Sequence, residues 1–123
     1  DREGRTVSAA QIEQDLNKLL AELGADTSQV IVACADRMIE NWMLGDAELF
    51  KKIYEIDVGG DCEGSHGKGE IRKLLATKNI VYNETTIGVE IFTKLDPGNV
   101  ALSSPSFANF KNRLENFCIW LRK

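Results

Sequence analysis

The feature that most constrains the fold is an uninterrupted apolar run at residues 30–35, Val-Ile-Val-Ala-Cys-Ala. A half-exposed strand alternates apolar and polar residues, so a β-branched run without alternation is typical of a strand buried on both faces of a parallel sheet. The run is also far too short to cross a bilayer. We therefore predict that residues 29–35 form a central strand, covered by helices on both faces, in an α/β fold with a small, partly parallel sheet.

An amphipathic helix is predicted before this run, over residues 8–23. Ser8 provides its N-terminal cap and Gly24 its left-handed stop. Ile12 and the leucines of this segment recur on one face, which we expect to cover the core. A helix followed by a buried strand is half of a βαβ unit, so a further strand is expected upstream of Asp1.

The C-terminal half is expected to be rich in helices. Residues 59–69, which are rich in glycine and polar side chains, predict a loop, and residues 96–98 predict a turn. The pair Ser104-Pro105 is a typical helix start. The apolar residues that follow recur at helical spacing, and we expect them to pack into the core: Phe107, Phe110, Leu114, Phe117 and Leu121. The other helices are predicted at residues 36–44, at 46–52 with Asp46 as the cap, around 71–75, and from 83 onward.

Length and composition predict one ordinary globular domain spanning residues 1–123. The net charge of −4 argues against a broad basic face for nucleic acid, and no apolar run is long enough for a membrane span. Three cysteines without CxxC spacing indicate reduced thiols in a cytoplasmic protein, with Cys62 alone expected at the surface. The chain opens without an initiator methionine on a loop-like stretch, so we expect a fragment of a larger protein.

Two acidic pairs are candidates for metal chemistry. Asp1 and Glu3 are two residues apart at the expected end of a strand, where both carboxylates can point at one cation, and hard oxygen ligands suit magnesium. Asp36 and Glu40 are four residues apart, which places them on one face of the predicted helix after the buried strand. Each pair has a plain alternative: a solvated charged terminus for the first, and a helix cap with a surface glutamate for the second.

Residues 30–46 combine the apolar run with the pattern I-E-x-W-x-L-x-D, which occupies residues 39–46. A lysine-bearing short helix from Lys68, a tyrosine-led helix from Tyr82 and a closing S-P-S-F-x-x-F at residues 104–110 follow in order. This arrangement resembles the C-terminal part of an uncharacterised Toprim-related family, domain of unknown function 4276. The resemblance implies a Toprim-like α/β fold that lacks its first strand and has a helix-rich C-terminal half.

The resemblance also implies a chemistry. Toprim domains bind magnesium through acidic residues that follow strands, and the wider group acts on phosphodiester bonds in topoisomerases, primases and nucleases of phage defence. Matched residue by residue, Asp1 and Glu3 correspond to the Asp-x-Asp metal pair, Glu40 to the glutamate of I-E-x-W, and Asp46 to its closing aspartate. On this interpretation Asp1, Glu3 and Asp36 are metal ligands, Glu40 and Asp46 are catalytic residues, and the cofactor is Mg²⁺.

Two functions therefore stay open. The first is the C-terminal part of a magnesium-dependent, nuclease-like enzyme, whose parent protein contacts nucleic acid and which can form a homodimer. The family's first-strand glutamate has no counterpart in the chain, so we expect the fragment to be inactive alone. The second is a non-catalytic interaction or structural module on the same fold, favoured for this chain by its scarcity of basic clusters and by the missing glutamate.

Overall fold

The computed structural model describes residues 5–117, so the predictions for Asp1, Glu3, Cys118 and Leu121 lie outside the described residues. A short 3₁₀ turn occupies Thr27–Gln29 and a π-helical turn occupies Glu84–Gly88. The α-helices are α1 (Ala9–Glu22), α2 (Ile39–Leu44), α3 (Ala47–Tyr54), α4 (Gly67–Ala76), α5 (Val89–Lys94), α6 (Pro97–Ser103) and α7 (Pro105–Phe117). Residues 5–117 contain no β-strand, so the predicted α/β fold with a partly parallel sheet is wrong.

The predicted central strand at residues 29–35 is instead the last residue of the 3₁₀ turn, Gln29, followed by an irregular segment at 30–35 without a partner strand in the described part of the chain. Val30 has extended backbone angles, φ −131° and ψ 134°, as its β-branched side chain favours. A sheet also needs a second extended segment whose backbone accepts and donates hydrogen bonds in register. The backbone amide of Cys34 instead donates to the side-chain carboxylate of Glu13 in α1 at 2.8 Å. Only Cys34 and Ala35 of this run are fully buried.

The N-terminal helix has the predicted ends but not the predicted packing. Ser8 caps α1 by accepting a hydrogen bond from the amide of Gln11 at 3.1 Å, and Gly24 follows the helix with φ 84°. Ile12 is the one buried residue of α1. The second oxygen of Glu13 contacts Arg113 of α7 at 3.2 Å, which links α1 to the last described helix. The expectation that the whole apolar face of α1 covers the core is therefore wrong.

The main core lies between the short helices from α2 to α5. Its buried members include Phe50, Ile71 and Leu75, each fully shielded from solvent. A second, smaller core joins α2 to α7, because Trp42 stacks on Phe110 with ring centroids 5.6 Å apart and meets Phe107 edge-on.

The last helices differ in detail from their predictions. Residues 96–98, predicted as a turn, are the start of α6, because Asp96 caps the helix and proline occupies its first turn. Helix α7 begins at the predicted Pro105, but Phe117 at its far end is 40% exposed. None of the helices within residues 5–117 has the length and apolar character that a membrane span requires.

Candidate functional site

Asp46 is predicted as a helix cap and as a catalytic residue. In the structure its buried carboxylate links α3 to α6. The residue is 2% exposed. Its Oδ1 accepts hydrogen bonds from the amide of Leu49 at 3.2 Å and from Nδ2 of Asn99 at 3.1 Å. Its Oδ2 accepts from the amide of Asp96 at 2.9 Å. The capping prediction is confirmed, and one carboxylate thereby fixes the starts of two helices; the catalytic role stays a prediction.

Asp36 and Glu40 do not share a helix face, because α2 begins only at Ile39. Arg37 has a positive φ of 68°, a conformation that interrupts a helix. The Asp36 carboxylate accepts from the amide of Gly64 at 3.1 Å, and Arg37 donates to the carbonyl of the same glycine at 3.1 Å. These two side chains therefore hold the loop before α4 against the entry to α2.

Glu40 lies in the interior, 4% exposed, and its Oε1 accepts a hydrogen bond from the hydroxyl of Tyr82 at 3.2 Å. Burial, and then the nearby Glu40 carboxylate, raise the pKa of the Tyr82 hydroxyl, which therefore stays protonated and able to donate. The π-helical turn brings Gly88 against this hydroxyl, and a Cβ at position 88 would lie 2.8 Å from the Tyr82 oxygen. A side chain at position 88 would therefore displace the Tyr82 hydroxyl from its place beside Glu40.

Lys68, in the first turn of α4, contacts both the start of α2 and the π-helical turn. Its amide donates to the sulfur of Met38 at 3.2 Å, and its ammonium forms an ion pair with Glu84 at 2.6 Å. The hydrogen bond from Lys68, followed by its charge, lowers the pKa of the Glu84 carboxyl. Three segments that carry the family resemblance, at Glu40, Lys68 and Tyr82, are therefore neighbours in space, and here they join α2, α4 and the π-helical turn.

Asn41 is a buried polar residue that the sequence analysis did not single out. It is fully shielded, and its Nδ2 donates to the carbonyls of Cys62 at 2.7 Å and Ser65 at 3.0 Å. Its Oδ1 accepts from the amide of Met38 at 3.2 Å. Helix α4 approaches α2 so closely that a Cβ on Gly67 would lie 2.6 Å from the backbone nitrogen of Asn41. The signal in the sequence that could have identified Asn41 was its polar side chain within an otherwise largely apolar stretch.

A second missed group lies at the start of α7. One oxygen of Glu63, Oε1, accepts from the hydroxyl of Ser104 at 2.5 Å and from the amide and hydroxyl of Ser106 at 2.8 and 2.6 Å. Trp42 donates to the Ser106 hydroxyl at 2.8 Å. The acid thus tethers the loop before α4 to the N-terminus of α7, where a negative charge is favourable.

Cys62 is buried rather than exposed, so that prediction is wrong. Its sulfur donates to the carbonyl of Ser103 at 3.3 Å, and burial raises the pKa of its thiol to about 11. A thiol held protonated in this way is a poor nucleophile. His66, the only histidine in the sequence, is also engaged, because its Nδ1 accepts from the amide of Gly69 at 3.0 Å and caps α4.

Within residues 5–117, no group of three or more His, Cys, Asp or Glu side chains could hold a metal ion. The predicted magnesium site depends on Asp1 and Glu3, which lie outside that range, and it stays a prediction.

Among the described residues, helix α1 carries an open apolar stripe, formed by Leu16, Leu19 and Leu23. These side chains are 44%, 49% and 75% exposed. They continue the line of the buried Ile12 at steps of four, three and four residues, which keeps all four on one helix face. A row of leucines that are 44–75% exposed is typical of an interaction surface rather than of scattered surface residues.

Comparison with known proteins adds no assignment, since no family model, curated protein or solved structure matches the chain. The Toprim-related family stays a prediction from the motifs of residues 30–46 and those that follow.

Proposed function

We propose that the chain is a non-catalytic interaction module whose helix α1 presents its apolar stripe to a helical partner protein. The observation that carries the proposal is the exposure of Leu16, Leu19 and Leu23 on one face of a well-capped helix. Steps of four, three and four residues are the spacing with which anchors on one helix enter the groove of another. Covering such side chains removes apolar surface from water, at about 25 cal/mol for each Å².

The internal polar groups support this proposal. Asp46, Asn41 and Glu63 each accept or donate at least three hydrogen bonds, at least two of which reach a separate segment, and such bonds hold the short helices from α2 to α7 in one arrangement. An interaction surface gains affinity when its scaffold is ordered before binding. Magnesium-dependent phosphodiester chemistry belongs, on this proposal, to residues beyond the described part or to a larger parent protein.

The test is a titration with a synthetic helical peptide that carries leucines at the same spacing and glutamine on its flanks. We expect changes in two-dimensional amide NMR spectra to be confined to α1 and the residues beside it. The variant Leu19→Ala should weaken binding at least several-fold. Leu102→Ala is the matched control, because Leu102 is an isolated leucine on α6 with 88% exposure. Spectral changes elsewhere, or equal binding by Leu19→Ala, would contradict the proposal.

A further inference from the structure

We infer that the partner of α1 is a cationic amphipathic helix, an inference that rests on the proposed function. Asp15 and Glu22 lie on one edge of the leucine stripe. At 3.6 residues per turn they are rotated only about 40° and 60° from Leu19 around the helix axis. Both side chains belong to exposed residues. A helix docked on the stripe would therefore bring its own flanking residues alongside these two carboxylates.

The charges of α1 favour a basic partner. Its sequence contains three acids and a single base, Lys18, which lies about 100° from Leu19 on the same side as Asp15 and Glu22. This edge of the stripe therefore carries two carboxylates and one cation, a net charge of −1. Asp15 accepts a hydrogen bond from the neutral side chain of Gln11 at 2.8 Å. On the opposite flank Glu13 already contacts Arg113. The net charge of −4 for the whole chain adds a long-range attraction for cations.

The position of Glu22 in the helix gives a further reason. It stands in the last turn of α1, which contains no basic residue. The C-terminal end of a helix carries partial negative charge, so an acidic side chain there is unfavourable and a cation is favourable. A lysine or arginine from a docked helix would neutralise both the carboxylate and the helix end.

A second copy of the chain is a poorer occupant of the stripe. If Leu16 and Leu23 are taken as a positions and Ile12 and Leu19 as d positions of a heptad, Asp15 and Glu22 both fall at g positions. In an antiparallel pair of α1 helices the two g rows face each other, which sets like charges together. In a parallel dimer of α1 helices, Asp15 of one helix faces Leu20 of the other, so Asp15 forms no ion pair across the interface.

The experiment uses three peptides with the same leucine face and with lysine, glutamine or glutamate on the flanks. We expect the lysine peptide to bind the chain about three- to tenfold more tightly than the glutamine peptide at low salt, because exposed ion pairs contribute modestly. The glutamate peptide should bind most weakly. The differences should shrink as salt is added, since exposed charges are screened within about 8–10 Å at 0.1–0.15 M salt.

The double variant Asp15→Asn, Glu22→Gln should lose the preference for lysine and keep its affinity for the glutamine peptide. The matched control is Glu55→Gln, Glu90→Gln, which removes two charges from exposed residues outside α1, one directly after α3 and one on α5. Equal affinity for all three peptides at α1 would overturn the cationic partner and leave the interaction module standing. Binding of none of them at α1 would overturn both. A dimer of the native chain in sedimentation, abolished by Leu19→Ala, would identify a second copy as the occupant and overturn the inference.

Discussion

Removing the Asp46 carboxylate is the sharpest test of how the short helices are held together. The side chain is 2% exposed and accepts three hydrogen bonds, so Asp46→Ala leaves the amides of Leu49 and Asp96 without this partner. Loss of a helix cap costs about 1 kcal/mol. Each further bond to a buried charge contributes about 1.5–3 kcal/mol, with overlap between them. We expect the free energy of unfolding to fall by about 3–5 kcal/mol.

The milder variant Asp46→Asn separates geometry from charge. Its amide oxygen can still accept from Leu49, but its NH₂ group then faces the donor N–H of Asp96, so a loss of about 1.5–3 kcal/mol is expected. The control is Glu48→Gln, because exposed Glu48 contacts the same Asn99 side chain at 3.2 Å and should contribute less than about 0.5 kcal/mol.

The assay is urea unfolding followed by the helical circular dichroism signal, with all variants measured at one pH and salt concentration. A loss for Asp46→Ala no larger than that for Glu48→Gln would refute the buried junction. That result would also favour the predicted catalytic role of Asp46 over a stabilising role.

Three further perturbations test other parts of the scaffold. Gly67→Ala places a Cβ against the backbone of α2 and should destabilise the fold by about 1–3 kcal/mol in the same unfolding assay; no change would contradict the close packing of α4. Phe110→Ala removes the ring stacked on Trp42 and should cost about 1.5–3 kcal/mol, against less than about 1 kcal/mol for the more exposed Phe117→Ala; equal costs would contradict this packing. Because the Cys62 thiol pKa is raised from 9.0 to about 11, the folded state keeps its proton longer than the unfolded state, so stability should fall as pH rises from 9 to 11. Cys62→Ala should reduce that slope, and an unchanged slope would contradict the assignment.

The helix ends were the part of the fold that could be predicted from the local sequence. Ser8, Gly24 and Asp46 act within a few residues of their own positions, so their chemistry could be interpreted without tertiary information. The apolar run at residues 30–35 misled because β-branched residues specify an extended backbone but not a partner strand. Its amide at Cys34 pairs with the Glu13 side chain, a contact that no local pattern encodes.

The polar junctions were hidden for a related reason. Asn41 reaches Cys62, and Glu63 reaches Ser104 and Ser106, across loops whose path depends on the packing of α2, α4 and α7. Amphipathicity likewise predicted that α1 has an apolar face but not what covers it. A stripe directed at a core and a stripe directed at a partner have the same periodicity in sequence.

The free energy of unfolding of Leu19→Ala, compared with that of Ile12→Ala, tests the open face of α1 most directly. Ile12 is 7% exposed and Leu19 is 49% exposed on the same face of one helix, so the pair is matched in element and chemistry. The account predicts a loss of about 2–4 kcal/mol for Ile12→Ala and of about 0.5 kcal/mol for Leu19→Ala. Similar losses for the two variants would show that the stripe is packed in the core of the isolated chain, which would contradict its role as a binding surface.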